Sequence, residues 1–167
     1  MAGMLFAEGT PGLDYAMIGG TSYQVSRGTA TATHIEIPDT HEGLPVTRIA
    51  NSGFRYYDTM LSVTIGNNVT EIGADAFRDC TSLESVIIGN SVNNLMGSAF
   101  RDCTRLTSVV FTNENGAADL VLGNDVFAGC TNLRTIDISG IINIPSRAFQ
   151  NCRGLEFINI GNDVTNI

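Results

Sequence analysis

Residues 76–90 read AFRDCTSLESVIIGN, and residues 99–113, beginning 23 residues later, read AFRDCTRLTSVVFTN. Near-identity within one chain is the mark of a structural unit written more than once. The marks extend both ways. Phe54, Phe77, Phe100, Phe127 and Phe149 stand 23, 23, 27 and 22 residues apart. Leu61, Leu83, Leu106, Leu133 and Leu155 follow at 22, 23, 27 and 22, and Cys80, Cys103, Cys130 and Cys152 at 23, 27 and 22. All three series shift together at Thr112-Asn113-Glu114-Asn115-Gly116-Ala117, a polar loop with about four extra residues. In the first unit, Leu61 falls one residue late and Tyr56-Tyr57 take the cysteine region, so the ladder is expected to start imperfectly.

The unit reads A-F-x-x-C-x-x-L-x-x-V-x-I-G-N-x-V-x-x-I-x-x. Its alternating β-branched piece predicts a strand in each copy: Val63-Thr64-Ile65, Val86-Ile87-Ile88, Val109-Val110-Phe111, Ile136-Asp137-Ile138 and Ile158-Asn159-Ile160. Gly-Asn at 66–67, 89–90 and 161–162 reads as a turn. A second apolar pair follows in Val46/Ile49, Val69/Ile72, Val92/Leu95, Ile141/Ile144 and Val164/Ile167. Asp75–Cys80 and its equivalents are too short for a long helix. They are expected to form a single helical or 3₁₀ turn carrying the buried Phe. A unit of about 22 residues cannot bury its own apolar face, whereas stacked copies can. The expected fold is therefore a repeat solenoid, with one strand per coil added to a parallel sheet on its concave face.

The pattern A-F-x-x-C-x-x-L-x-x-V-x-I resembles the BspA-like subfamily of leucine-rich repeats. Ile35–Ile49, IEIPDTHEGLPVTRI, is similar to the "IP…G.PVT.I" unit of that family. The resemblance covers residues 30–167 and implies a leucine-rich-repeat solenoid of five to six repeats over residues 34–167. Residues 1–33 fall outside the period. Tyr15, Ile18, Tyr23 and Val25 around Gly19-Gly20 predict a β-hairpin, expected to serve as an N-terminal cap over the first coil. The last residues stop in mid-pattern, which suggests a piece of a longer protein.

With 17 acidic and 9 basic residues, the net charge is −8, and all nine bases are Arg. A negative surface without a basic run argues against nucleic acid or anionic lipid as partner. The lack of Lys excludes Schiff-base chemistry and a lysine phosphate loop. No apolar run approaches the length of a membrane span, and MAGMLFAEG lacks the charged start of a signal peptide.

Candidates for chemistry are few. The cysteines stand singly, one per coil, without the paired spacing of a zinc site. Neighbouring coils bring them within reach of one another, but stacked side chains run parallel rather than converging, so free buried thiols are expected. His34 and His41, with Glu36, Asp39 and Glu42 nearby, show no standard ligand spacing and are read as surface residues. Asn67, Asn90, Asn124-Asp125 and Asn162-Asp163 have the composition of calcium loops but also that of ordinary turns, the reading preferred here. Arg78, Arg101, Arg105 and Arg134 are expected to pair with Asp79, Asp102 or Glu84. No cofactor, metal or enzymatic activity is expected.

The informative positions are those pointing outward between the buried ones. Alternation places Ser62/Thr64, Ser85/Ile87, Ser108/Val110, Thr135/Asp137 and Phe157/Asn159 on the exposed face. Ile87, Val110 and Phe157 are apolar where water is expected, and such patches often mark binding surfaces. The candidate protein-binding set is accordingly Thr64, Ser85, Ile87, Ser108, Val110, Thr135, Asp137, Phe157 and Asn159. The family resemblance implies a secreted or cell-surface protein whose partner is an extracellular-matrix or cell-surface protein. The alternative is a structural spacer presenting another domain. An uncovered last coil would also allow end-to-end self-association.

Overall fold

The structure, a computed structural model, describes residues 8–112, 120–160, 162 and 164–166. Several positions marked above lie outside them: residues 1–7, the loop residues 113–119, Gly161, Asp163 and Ile167. The chain winds into a solenoid of about six turns that carries two parallel sheets. One sheet has six strands in the order β3 (His34–Ile37), β6 (Ser62–Ile65), β8 (Ser85–Ile88), β10 (Ser108–Phe111), β12 (Thr135–Asp137) and β13 (Phe157–Asn159). Its register joins Val63 to Val86 and Val86 to Val109, so one inward column runs from coil to coil.

The second sheet was not anticipated. It is built from the V-x-x-I pairs as β5 (Leu44–Ile49), β7 (Glu71–Ile72), β9 (Asn94–Leu95) and β11 (Val121–Leu122). β1 (Asp14–Ile18) and β2 (Ser22–Ser26) form an antiparallel hairpin at its edge, with β2 running parallel to β5. The short β4 (Thr40–His41) pairs antiparallel with β5.

Between the two sheets each coil closes through the A-F-x-x-C segment, and here the expected helical turn is absent. No described residue is helical. Asp75, Phe77 and Asp79 donate their N–H groups to the next coil, at Gly97 (3.1 Å), Ala99 (2.8 Å) and Arg101 (2.9 Å). Ala76, Arg78 and Cys80 instead bond back three residues within their own coil. This alternation requires left-handed backbone two residues before and two after the Phe. Asp75 and Asp79 have φ of 55° and 61°, and Ser98 and Asp102 have 58° and 59°. Asp, Asn, Ser and Gly tolerate that region best, and they hold most of these positions. The segment is thus a third ladder made of linked turns, and a right-handed helical turn cannot form across it.

The core lies inside the coils. Phe54, Phe77, Phe100, Phe127 and Phe149 stack as near-parallel rings with centroids 5.2, 5.1, 5.5 and 5.6 Å apart. The first coil is not irregular in the way its sequence suggested. Met60, not Leu61, fills the leucine column. It is fully buried, and its N–H bonds Tyr57 O as Leu83 N–H bonds Cys80 O. Tyr57 replaces the cysteine, sends its hydroxyl to Ala32 O at 2.7 Å, and lies under the Arg27 guanidinium.

Each cysteine thiol donates to the Phe carbonyl of the preceding coil at 3.1 Å: Cys80 to Phe54, Cys103 to Phe77, Cys130 to Phe100 and Cys152 to Phe127. All four are free. Burial pushes the Cys80 thiol up to about 12 and Cys152 up to about 11, and it holds Cys103 and Cys130 well above the ordinary range. These are structural donors, not nucleophiles. In the folded chain they will react with a disulfide reagent far more slowly than in denaturant, with half-buried Cys152 first. A raised folded pKa favours the protonated, folded form. Its stabilising contribution is complete below the unfolded thiol value of about 8.5 and is lost as pH rises towards the folded values. Equilibrium unfolding followed from pH 8 upward will therefore show falling stability. A flat profile, or four thiols reacting at once in the folded chain, would contradict the ladder.

Candidate functional site

The outward face of the six-stranded sheet is built by two-residue alternation on parallel strands. The side chains inside the coil fix which residues must point out. The pairing aligns two outward rows that cross the strands. One is His34, Ser62, Ser85, Ser108, Thr135 and Phe157, and the other runs Glu36, Thr64, Ile87 and Val110, continuing to Asp137 and Asn159. All nine residues singled out from the sequence therefore stand together on one surface. Ile87 is 41% exposed, Val110 51% and Phe157 62%. Ile87 and Val110 are direct neighbours in register and form an aliphatic step in a row that is otherwise polar.

The charges of this face are unevenly distributed. Along the edge where the strands begin, Arg105 pairs with Glu84 at 2.5 Å and Arg134 with Glu156 at 2.8 Å, so that margin is nearly neutral. Within the rows the charges are carboxylates. Asp137 accepts hydrogen bonds from Ser139 N (2.9 Å) and Asn159 Nδ2 (3.1 Å). Hydrogen bonding from Ser139, from its side chain first and its backbone N–H second, holds the Asp137 carboxyl below the usual range, so it is ionised at neutral pH. The Glu36 carboxylate has no partner among the described residues; its backbone N–H bonds the Thr10 hydroxyl at 2.6 Å. Beside it a shallow cleft of about 380 Å³ opens where strands β3, β6 and β8 end, with Glu36, Asp39, Thr64, Asn67, Ile87 and Thr112 among its walls.

His34 lies at the start of the first row, with Nδ1 2.7 Å from the Ser62 hydroxyl. A serine beside an imidazole is the beginning of a nucleophilic pair. Here it sits on an exposed strand, and no described carboxylate is hydrogen-bonded to the ring to orient it. His41 is not a simple surface residue. It is half-buried and stacked on Tyr15 at 3.7 Å, with Tyr23 edge-on and the Tyr23 hydroxyl bonded to Glu42. Among the described residues, no cluster of three metal-ligating side chains occurs, and no helix is long and apolar enough to cross a membrane. The Asp39 and Asn67 side-chain oxygens accept the backbone N–H groups of Asn67 and Asn90 on successive coils, which is turn chemistry.

The arginines pair more widely than their sequence neighbours suggested. Arg78 reaches Asp75 (3.2 Å) and Asp79 (3.4 Å), and Arg101 reaches Asp102 (3.3 Å) and Asp125 (3.6 Å). Buried Asp125 also receives a two-pronged bond from Arg147, 2.9 Å on each side. Arg147 went unremarked because its partner lies 22 residues away, and only the repeat period links the two positions.

Comparison with known proteins agrees with this geometry. The chain matches the BspA type leucine rich repeat region over residues 27–119 and 47–167, with six copies. A leucine rich cell surface protein from Faecalibacterium prausnitzii superposes with a TM-score of 0.76 at 26% identity, covering 93% of this chain and 42% of that one. The T. pallidum leucine rich repeat protein gives 0.68 at 20% identity, with 89% and 79% covered. The pneumococcal vaccine antigen PcpA gives 0.59 at 16% identity, with 92% and 37% covered, and like the T. pallidum protein it speaks for the fold alone. The chain thus spans less than half the length of two of these three structures. No curated protein matches it.

Proposed function

The chain belongs to the BspA type leucine-rich repeat family, and on that premise we propose that it is a non-catalytic module that holds a protein partner on the outward face of its six-stranded sheet. The observation that carries this reading is the exposed Ile87–Val110 step in an otherwise polar row. A regular solenoid offers a broad, shallow surface, suited to a polypeptide more than to a small substrate. A structural relative is described as a cell surface protein. That supports placing this chain in a secreted or surface-exposed protein that adheres to matrix or cell-surface proteins.

The test is a binding screen against immobilised fibronectin, fibrinogen, collagen and laminin, with Ile87→Glu/Val110→Glu measured beside the wild type. Both sites are exposed, so the double variant keeps its circular dichroism spectrum and thermal midpoint. Saturable binding should weaken at least about tenfold in the variant, the loss expected from putting charge into an apolar contact. Binding that survives the change places the partner elsewhere on the coil. Failure to bind any protein of the panel counts against matrix adhesion and favours a spacer role.

A further inference from the structure

We infer that the segment this face accepts is an extended stretch of basic–aliphatic–aliphatic–basic pattern, its two basic side chains about six residues apart and laid across the strands. The inference rests on the proposed binding face and adds the chemistry of its partner.

The argument starts from the second outward row. It begins with the Glu36 carboxylate, passes Thr64, Ile87 and Val110, and leads on to the Asp137 carboxylate on β12, the strand paired with β10. Strands in a sheet lie about 4.8 Å apart, so the four steps from β3 to β12 place the two carboxylates about 19 Å apart. Ile87 and Val110 occupy the second and third steps between them. An extended segment lying along this row advances about 6.7 Å for every two residues and presents alternate side chains to the surface. Residues 1 and 7 of the segment then fall over the two carboxylates, residue 5 over Val110, and residue 3 between Thr64 and Ile87, within side-chain reach of the latter.

Charge favours the same occupant. Glu36 is without a partner among the described residues, while Arg105 and Arg134, at the edge where the strands begin, are already paired with Glu84 and Glu156. Asp137 keeps accepting capacity beyond its local hydrogen bonds from Ser139 and Asn159, since a carboxylate offers about four lone-pair sites. The cleft beside Glu36 has room for the long apolar stem of an arginine or lysine, with Thr64 and Ile87 along its wall. The net charge of −8 steers a basic segment towards the molecule and opposes an acidic one.

The experiment pans a random linear peptide library displayed on phage against the full chain. Enriched peptides are then synthesised and measured by fluorescence anisotropy against wild type, Ile87→Glu and Glu36→Gln/Asp137→Asn. The expected peptides carry two basic residues about six apart with aliphatic residues between them. Ile87→Glu abolishes their binding, and Glu36→Gln/Asp137→Asn weakens it about five- to tenfold, the worth of two partly exposed ion pairs. Raising salt from about 50 to about 500 mM should weaken the wild type more than the charge-neutral variant. Peptides that need Ile87 but lack the basic pair, or ignore the loss of both carboxylates, overturn this inference and leave the binding face standing. Peptides indifferent to Ile87, or no enrichment at all, overturn both.

Discussion

Replacing Phe100 by Ala lowers the stability of the chain by about 3–5 kcal/mol, read as a shift of the denaturant midpoint. The ring lies mid-stack, fully buried, 5.1 Å from Phe77 and 5.5 Å from Phe127. Its removal forfeits the transfer energy of an aromatic side chain and leaves a cavity between two flat rings. Those rings are held by their own coils and cannot collapse into it. The backbone at this point also matters. Phe100 N–H bonds Val126 O at 2.9 Å, and Phe100 O accepts the thiol of Cys130 at 3.1 Å. A shift that fills the cavity would stretch both bonds. Phe149 supplies the comparison. It is only half-buried and stacks on one ring, so Phe149→Ala should cost about half as much. Equal costs at the two positions would mean that the stack is not the stabilising column of the solenoid.

How much of this could be read from the residues depends on what each reading rested on. Spacing succeeded: the Phe steps alone fix the period, and alternation within each strand identified the exposed side of the sheet. Matching by residue type failed where it overruled spacing. Leu61 was assigned to the leucine column because it is leucine. The 23-residue step from Met60 to Leu83 equals that from Phe54 to Phe77, and it points to the methionine. The turn ladder escaped for a different reason. Bonds from residue i to residue i−3 resemble a 3₁₀ turn locally, and only the alternate N–H groups reaching the next coil reveal otherwise. A signal was present in the Asp, Ser, Asn and Gly residues that hold most of the positions two before and two after each Phe. The second sheet was hidden because β7, β9 and β11 are two residues long and the apolar pairs that mark it carry a spacing of three, which is not a strand period. The outward row was legible as a surface. The partner proposed for it was not, since only the strand register lines up Glu36, Thr64, Ile87 and Val110 and leads the row on to β12, which carries Asp137.

The glycines after the strands give the second large effect, and for a reason that turn chemistry does not supply. Gly66 and Gly89 precede asparagine and read as turn residues, yet neither adopts the left-handed backbone that only glycine enters freely. They are needed for space. A Cβ at Gly89 would overlap the Gly66 carbonyl oxygen and lie 2.7 Å from its carbon and 2.8 Å from Ile65 O. All of these are backbone atoms of the coil before, so no side chain can swing aside. With coils about 4.8 Å apart, the added carbon can be accommodated only by prising two coils apart. Gly89→Ala should therefore cost about 3 kcal/mol, the upper end of overpacking penalties, although alanine ordinarily stabilises by stiffening the unfolded chain. Gly97→Ala is the matched control. Its backbone is also not left-handed, and its nearest atom would be Asn124 O at 3.5 Å, an ordinary contact. That substitution should be neutral or stabilising by about 0.5 kcal/mol. If the two variants unfold at the same denaturant concentration, close approach of the coils does not explain the glycine at 89. If only Gly89→Ala is weakened, the same crowding explains why the cleft beside Glu36 ends in glycine rather than in a side chain that would fill it.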